Sequence, residues 1–113
     1  MFRIFLLIGL LAAVPALADP NNQIPFRKSV ELNVGQSVVV HGYRGECGKR
    51  PDNVDPKRTR ATKLGMLSNG KWGVTNSRRC GGWTPAVEVI FTAQKKGRET
   101  IKVAGDNIKI RVR

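Results

Sequence analysis

The 113-residue chain carries 20 lysines and arginines against 8 aspartates and glutamates, so its formal net charge is +12. A chain of this length fits one domain with one modest core and is too short for two lobes with a cleft between them. The charge favours an anionic partner. One histidine and two cysteines supply too few ligands for a metal site of the zinc-finger type, so neither a metal nor a cofactor is expected.

The first 18 residues have the pattern of a secretory signal peptide. Arg3 provides the positive start, residues 4–14 form an apolar run, and Ala16 and Ala18 form a small-residue cleavage site. The run is shorter than the roughly 20 residues that a membrane-spanning helix needs. We therefore expect cleavage after Ala18, a single domain over residues 19–113 without a transmembrane segment, and a periplasmic or secreted location.

The two cysteines, Cys47 and Cys80, both lie in the expected mature chain. In an oxidising compartment, an even number of cysteines in a small domain indicates a disulfide. This pairing also removes Cys47 as a nucleophile for His41, the single histidine. Since the sequence also contains no glycine-rich phosphate loop, we expect no enzyme activity.

Residues 19–28 are rich in proline and asparagine and predict an extended leader. Alternating apolar residues then predict strands over 29–34 and 37–41, with a turn between them at Gly35–Gln36. Residues 42–63 have the glycine, proline, aspartate and asparagine content of a long basic loop. The Asn69–Gly70 pair predicts a hairpin turn between residues 64–67 and 72–74.

Three further strands are predicted after Pro85, around residues 87–91, 101–103 and 108–112. No segment has a helical period. About seven short strands separated by frequent turns predict an all-β fold, an antiparallel Ig-like sandwich.

The last predicted strand places Lys109, Arg111 and Arg113 on the face opposite its apolar residues. Lys102, on the preceding strand, is expected to share that face. These cations form either a solvated edge that resists aggregation or an anion-binding surface, and the sequence favours the edge.

Basic residues are concentrated in residues 44–79, where ten cations face three carboxylates and the aromatic residues Tyr43, Trp72 and Trp83 are close by. Arginine suits phosphate and carboxylate groups, and aromatic rings suit sugars or bases. The candidate partner-binding residues are Arg44, Lys49, Arg50, Lys57, Arg58, Arg60, Lys63, Arg78, Arg79 and Trp83. An anionic envelope polymer or an acidic protein is the expected partner. Nucleic acid is disfavoured by the signal peptide and by the lack of a signature module.

Two stretches, VELNVGQSVVV and CGGWTPAVEVIFTAQKKGRETIKV, resemble the chagasin-like family of cysteine-protease inhibitors, which are Ig-like sandwiches. The resemblance implies inhibitory-loop positions at Gly42–Tyr43 and Gly81–Gly82. The position of the family's first inhibitory loop reads HGYRGECG and keeps only Gly42–Tyr43 of it, and the family's Arg-Pro-Trp loop is absent.

The leading hypothesis is an exported, non-enzymatic binding module that engages its anionic partner through basic loops. One alternative is an inhibitor of a secreted hydrolase, either a cysteine protease or lysozyme. The other is a small basic structural protein of the periplasm.

Overall fold

The computed structural model describes residues 22–51 and 60–113, and within these ranges the chain forms strands and no helix. The predicted signal peptide, residues 1–18, lies outside the described residues. The seven strands are β1 Ser29–Leu32, β2 Ser37–Arg44, β3 Arg60–Ala61, β4 Gly65–Ser77, β5 Gly82–Ala93, β6 Gly97–Val103 and β7 Asp106–Val112. The described residues contain no helix that is long and apolar enough to cross a membrane.

The strands form two sheets, with the orders β1-β7-β6 and β2-β5-β4-β3. The predicted all-β sandwich of about seven strands is therefore confirmed. Neighbouring strands are antiparallel with one exception, because β1 runs parallel to β7. This pairing places β7 in the centre of the three-stranded sheet, between β1 and β6.

The core lies between the two sheets and follows the alternation of the strands. Ile108, Ile110 and Val112 of β7 are buried against Val89 and Phe91 of β5 in one apolar cluster. Apolar side chains at every second residue form this cluster because successive side chains of a strand point to opposite faces. As predicted, the intervening cations of β7 are exposed, and so is Lys102.

The predicted hairpin at Asn69–Gly70 is wrong, because β4 continues through both residues. The pairing of β4 with β5 shifts register at a β-bulge between Asn69 and Trp72, and the two strands pair on both sides of this bulge. A Cβ atom at Gly70 would lie 2.5 Å from Glu88 Oε1. Gly70 is therefore explained by close packing within a strand and not by a turn.

The predicted basic loop over residues 42–63 is also too long. Gly42, Tyr43 and Arg44 continue β2 by pairing with β5, and Arg60–Ala61 form the short β3. Of the loop that remains between β2 and β3, residues 52–59 lie outside the described residues.

The leader runs along the edges of two strands of the four-stranded sheet. The Ile24 N–H donates to Val74 O of β4, and the Arg27 N–H donates to Val40 O of β2. Ile24 is buried, and a Cβ atom at Gly42 would lie 3.2 Å from Ile24 Cγ2. The leader is therefore a structural strap that joins β4 to β2, and Gly42 is the small residue that makes room for it.

Candidate functional site

A disulfide joins the loop after β2 to the turn between β4 and β5. Cys47 and Cys80 are bonded, with their Cα atoms 5.5 Å apart. The bond confirms the pairing expected from the sequence. It holds two basic segments together at one end of the four-stranded sheet, which we call the disulfide end: residues 44–50 and 77–83.

The turn of the β4–β5 hairpin occupies residues 78–81 and carries two arginines. Ser77 pairs with Gly82 across it, and the Gly81 N–H donates to Arg78 O at 3.2 Å. Gly81 has φ +75°, a conformation that other residues rarely adopt. Arg78 and its neighbour Arg79 are exposed at the tip.

Trp83 follows this turn and is 54% exposed. Gly81 and Gly82 lie beside it at the surface. Gly42 and Tyr43, in contrast, lie within the paired strand β2, so the prediction that they belong to an inhibitory loop is wrong in its structural part.

The segment after β2 is tied down by several contacts. The Gly48 N–H donates to Thr84 Oγ1 at 2.8 Å. Lys49 Nζ lies 3.7 Å from Glu46 Oε1 in an exposed ion pair. The Arg50 guanidinium lies 5.0 Å from the centre of the Trp72 ring, a cation–π contact. Lys49 and Arg50 therefore have partners within the protein.

A cavity of about 220 Å³ opens at the disulfide end, between β2, β4 and the β6–β7 turn. Arg44 lines it from β2 and Arg78 from the hairpin turn. Thr75 and Ser77 of β4 add hydroxyl groups to the wall. Arg44 is half-buried, with its guanidinium donating to Gly45 O at 3.0 Å. Two guanidinium groups from separate elements thus line one small polar cavity.

His41 forms part of the same wall and links the two sheets. Its Nδ1 accepts the Gly42 N–H at 2.7 Å, so the proton of the neutral ring lies on Nε2. Nε2 in turn donates to Asp106 Oδ2 at 2.8 Å, and the Phe26 ring packs 4.6 Å from the imidazole. Both ring nitrogens are therefore occupied. Asp106 was not identified from the sequence because it lies 65 residues from His41.

Two predicted binding residues lie away from this end. Arg60 pairs with Leu67, near the start of β4, so it lies about 30 Å along the strand from Ser77. Its guanidinium donates to Lys102 O at 2.7 Å. Lys63 lies in the same region, where its backbone N–H donates to Glu99. Lys57 and Arg58 lie outside the described residues.

The candidate site therefore consists of Arg44 and Arg78, which line the cavity. The other predicted binding residues of the disulfide end lie outside its lining: Lys49, Arg50, Arg79 and Trp83. In the described part of the chain, no group of three or more histidine, cysteine, aspartate or glutamate side chains could hold a metal ion. Comparisons with protein-family models, with curated proteins and with solved structures give no match for the chain.

Proposed function

We propose that the protein is an exported, non-enzymatic binding module, periplasmic or secreted, whose disulfide end binds an acidic group of an envelope polymer or an acidic protein. The observation that supports this proposal most directly is the convergence of Arg44 and Arg78 on one cavity. Arginine presents a planar fork of donors that matches carboxylate, phosphate and sulfate groups.

The size of the cavity indicates how a partner would be held. At about 220 Å³, it is smaller than the roughly 300–1,000 Å³ pockets that enclose a drug-sized ligand. It suits a single acidic group that belongs to a larger molecule. The exposed Arg79, which follows Arg78 in the hairpin turn, would then contact the molecule around that group.

The charge of the cavity also suits an anion. Asp106 is its acidic residue, and that carboxylate already accepts a hydrogen bond from His41. Two arginines against one carboxylate leave the cavity wall with a net positive charge. The same hydrogen bonds support binding over catalysis, because His41 has no free nitrogen to act as a base and both cysteines are oxidised.

The test is a titration of the ¹⁵N-labelled protein with inorganic phosphate and with acetate, followed by NMR. The largest amide shifts are expected at Arg44, Thr75, Ser77 and Arg78. They should be lost in the Arg44→Gln/Arg78→Gln variant, because the guanidinium forks are gone. The matched control is Lys95→Gln/Lys96→Gln, which removes the same charge from the exposed β5–β6 turn.

The proposal fails if phosphate shifts the same amides equally in both double variants. It also fails if the shifts fall elsewhere in the chain. A pull-down from envelope extract, with the same two variants, then identifies the natural partner. The amount of partner retained by the protein should decrease between low and physiological salt, because the attraction is between charges at an exposed surface.

A further inference from the structure

The outer side of the three-stranded sheet carries a second concentration of positive charge. Five cations and one carboxylate point outward from its strands, and we call this surface the basic face: Arg98 and Lys102 of β6, Lys109 and Arg111 of β7, Arg113, and Glu31 of β1. It is built by other strands than the disulfide end and is a separate surface.

Protection of a sheet edge does not explain these cations. Lysine and arginine on an edge strand discourage pairing with another chain, but Lys109 and Arg111 lie on β7. That strand is hydrogen-bonded to β1 on one side and to β6 on the other. The edge interpretation favoured by the sequence is therefore wrong for β7, and the alternative, an anion-binding surface, gains support.

The arrangement of the charges is also unfavourable for the isolated protein. Arg98 lies directly opposite Arg111 on the neighbouring strand, and like charges in that position destabilise a sheet. Glu31 offsets part of this repulsion, with Oε2 3.3 Å from Arg111 and Oε1 3.9 Å from Arg113. An anion bound across the face would offset the remainder.

Two further carboxylates lie beside the basic face and are engaged in hydrogen bonds. Glu99 of β6 accepts hydrogen bonds from Thr62 Oγ1 and the Leu64 N–H. Asp106 is bonded to His41 of the other sheet. Glu99 and Asp106 are thus engaged in hydrogen bonds, whereas Glu31 points outward with the cations.

Two shallow cavities lie along part of the basic face. A cavity of about 730 Å³ extends across all three strands. It adjoins a second cavity of about 530 Å³, and Ser29, Thr100 and Lys109 line both. Phe26, which is 41% exposed, lines the far cavity. The two cavities together form one elongated, open groove. Its walls carry hydroxyl groups, one aromatic ring, four cations and three carboxylates, the charged residues being Lys28, Arg98, Lys109, Arg111, Glu31, Glu99 and Asp106.

We propose that this groove binds an extended acidic polysaccharide. The cations would pair with its carboxylate or sulfate groups, the hydroxyl groups of Ser29 and Thr100 would bond to sugar hydroxyls, and the Phe26 ring would pack against the apolar face of a sugar. A single-stranded nucleic acid is favoured by several aromatic rings on which successive bases stack, and the described groove offers one.

The test measures binding of the purified full-length protein to heparin by titration calorimetry in low salt. The face variant is Lys109→Gln/Arg111→Gln/Arg113→Gln. The matched control is Lys71→Gln/Lys95→Gln/Lys96→Gln, which removes the same charge from exposed positions outside both sites. We expect the face variant to bind about 10-fold more weakly, given the strength of exposed charge pairs, and the control to bind within about 2-fold of the parent.

Phe26→Ala provides a second measure that does not depend on charge, and it should also weaken heparin binding. Circular dichroism establishes that each variant is folded. Equal weakening in the two triple variants would show that only bulk charge matters and would overturn the proposal. Tighter binding to anionic lipid vesicles or to single-stranded DNA than to heparin would overturn it in favour of those partners.

Loss of heparin binding in Arg44→Gln/Arg78→Gln, with the face variant unaffected, would assign the polysaccharide to the disulfide end and overturn the groove. The phosphate titration of the disulfide end is a separate measurement on separate residues. Failure of either proposal is therefore distinguishable from failure of the other.

Discussion

Arg111 lies between an attractive and a repulsive neighbour. Glu31 pairs with it from β1, and Arg98 faces it from β6. Because both neighbours are exposed, each interaction is small and is screened by salt. The balance at this residue can nevertheless be measured, since the two neighbours can be changed one at a time.

We predict that Arg98→Gln stabilises the protein. Removing one arginine of the directly opposed pair relieves a repulsion of about 0.2–1 kcal/mol. The free energy of unfolding, measured with urea in low salt, should rise by that order. In about 0.5 M salt the gain should disappear, because the Debye length is then only a few ångströms.

Lys95→Gln is the control for the Arg98 measurement, because Lys95 is an exposed cation in the β5–β6 turn. A gain of equal size in both variants would mean that lower net charge, and not the opposed pair, is responsible. If Arg98→Gln also weakens heparin binding, one residue then lowers stability and supports binding. That combination is typical of a residue retained for function.

Some strands could be predicted from the local sequence, and others could not. β7 was predicted correctly because Ile108, Ile110 and Val112 alternate with cations, and strand periodicity is a local signal. The hairpin predicted at Asn69–Gly70 was wrong because the same dipeptide is compatible with a hairpin turn and with a β-bulge. The pairing of β4 with β5 selects the bulge over the turn. The residues of β5 that make this pairing lie elsewhere in the sequence, so the local pattern at Asn69–Gly70 does not reveal it.

The candidate site was predicted in part for the same reason. The cysteine pair and the exposed Arg78–Arg79 turn follow from composition and local sequence. The cavity does not, because its wall is drawn from β2, β4 and the β6–β7 turn. Arg60 and Lys63 were grouped with it by their proximity in sequence, but the length of β4 separates them from it.

The disulfide is expected to contribute strongly to stability. Cys47 and Cys80 are 33 residues apart, and closing a loop of that length restricts the unfolded chain by about 3–4 kcal/mol. We predict that the Cys47→Ala/Cys80→Ala variant loses that much free energy of unfolding in urea. Chemical reduction of the parent should produce the same loss. A much smaller loss would mean that other contacts, such as Gly48 with Thr84, hold the loop without the bond.

At the scale of the whole molecule, the two sheets share one core. The buried cluster includes Phe91 and Leu67 from one sheet and Ile108 and Ile110 from the other. Neither sheet can bury its apolar face without the other. The His41–Asp106 hydrogen bond adds a polar link between them.

We therefore predict that both sheets unfold in a single transition. Trp72 and Trp83 lie on the four-stranded sheet, so fluorescence reports on that sheet alone, whereas far-ultraviolet circular dichroism reports on all strands. The midpoints of the two signals in urea should coincide, as they do for most small single domains. A fluorescence transition at lower urea concentration would show that the disulfide end unfolds independently.

The position of β7 in the chain also has a consequence for folding. It is the last of the seven strands in sequence and the central strand of its sheet. Until the ribosome has made it, β1 and β6 have no neighbour within that sheet, and the apolar face of the other sheet stays uncovered. Ser29 of β1 pairs with Lys109 of β7, so this sheet closes only through contacts between distant parts of the chain, and folding is expected to be slow for a domain of this size.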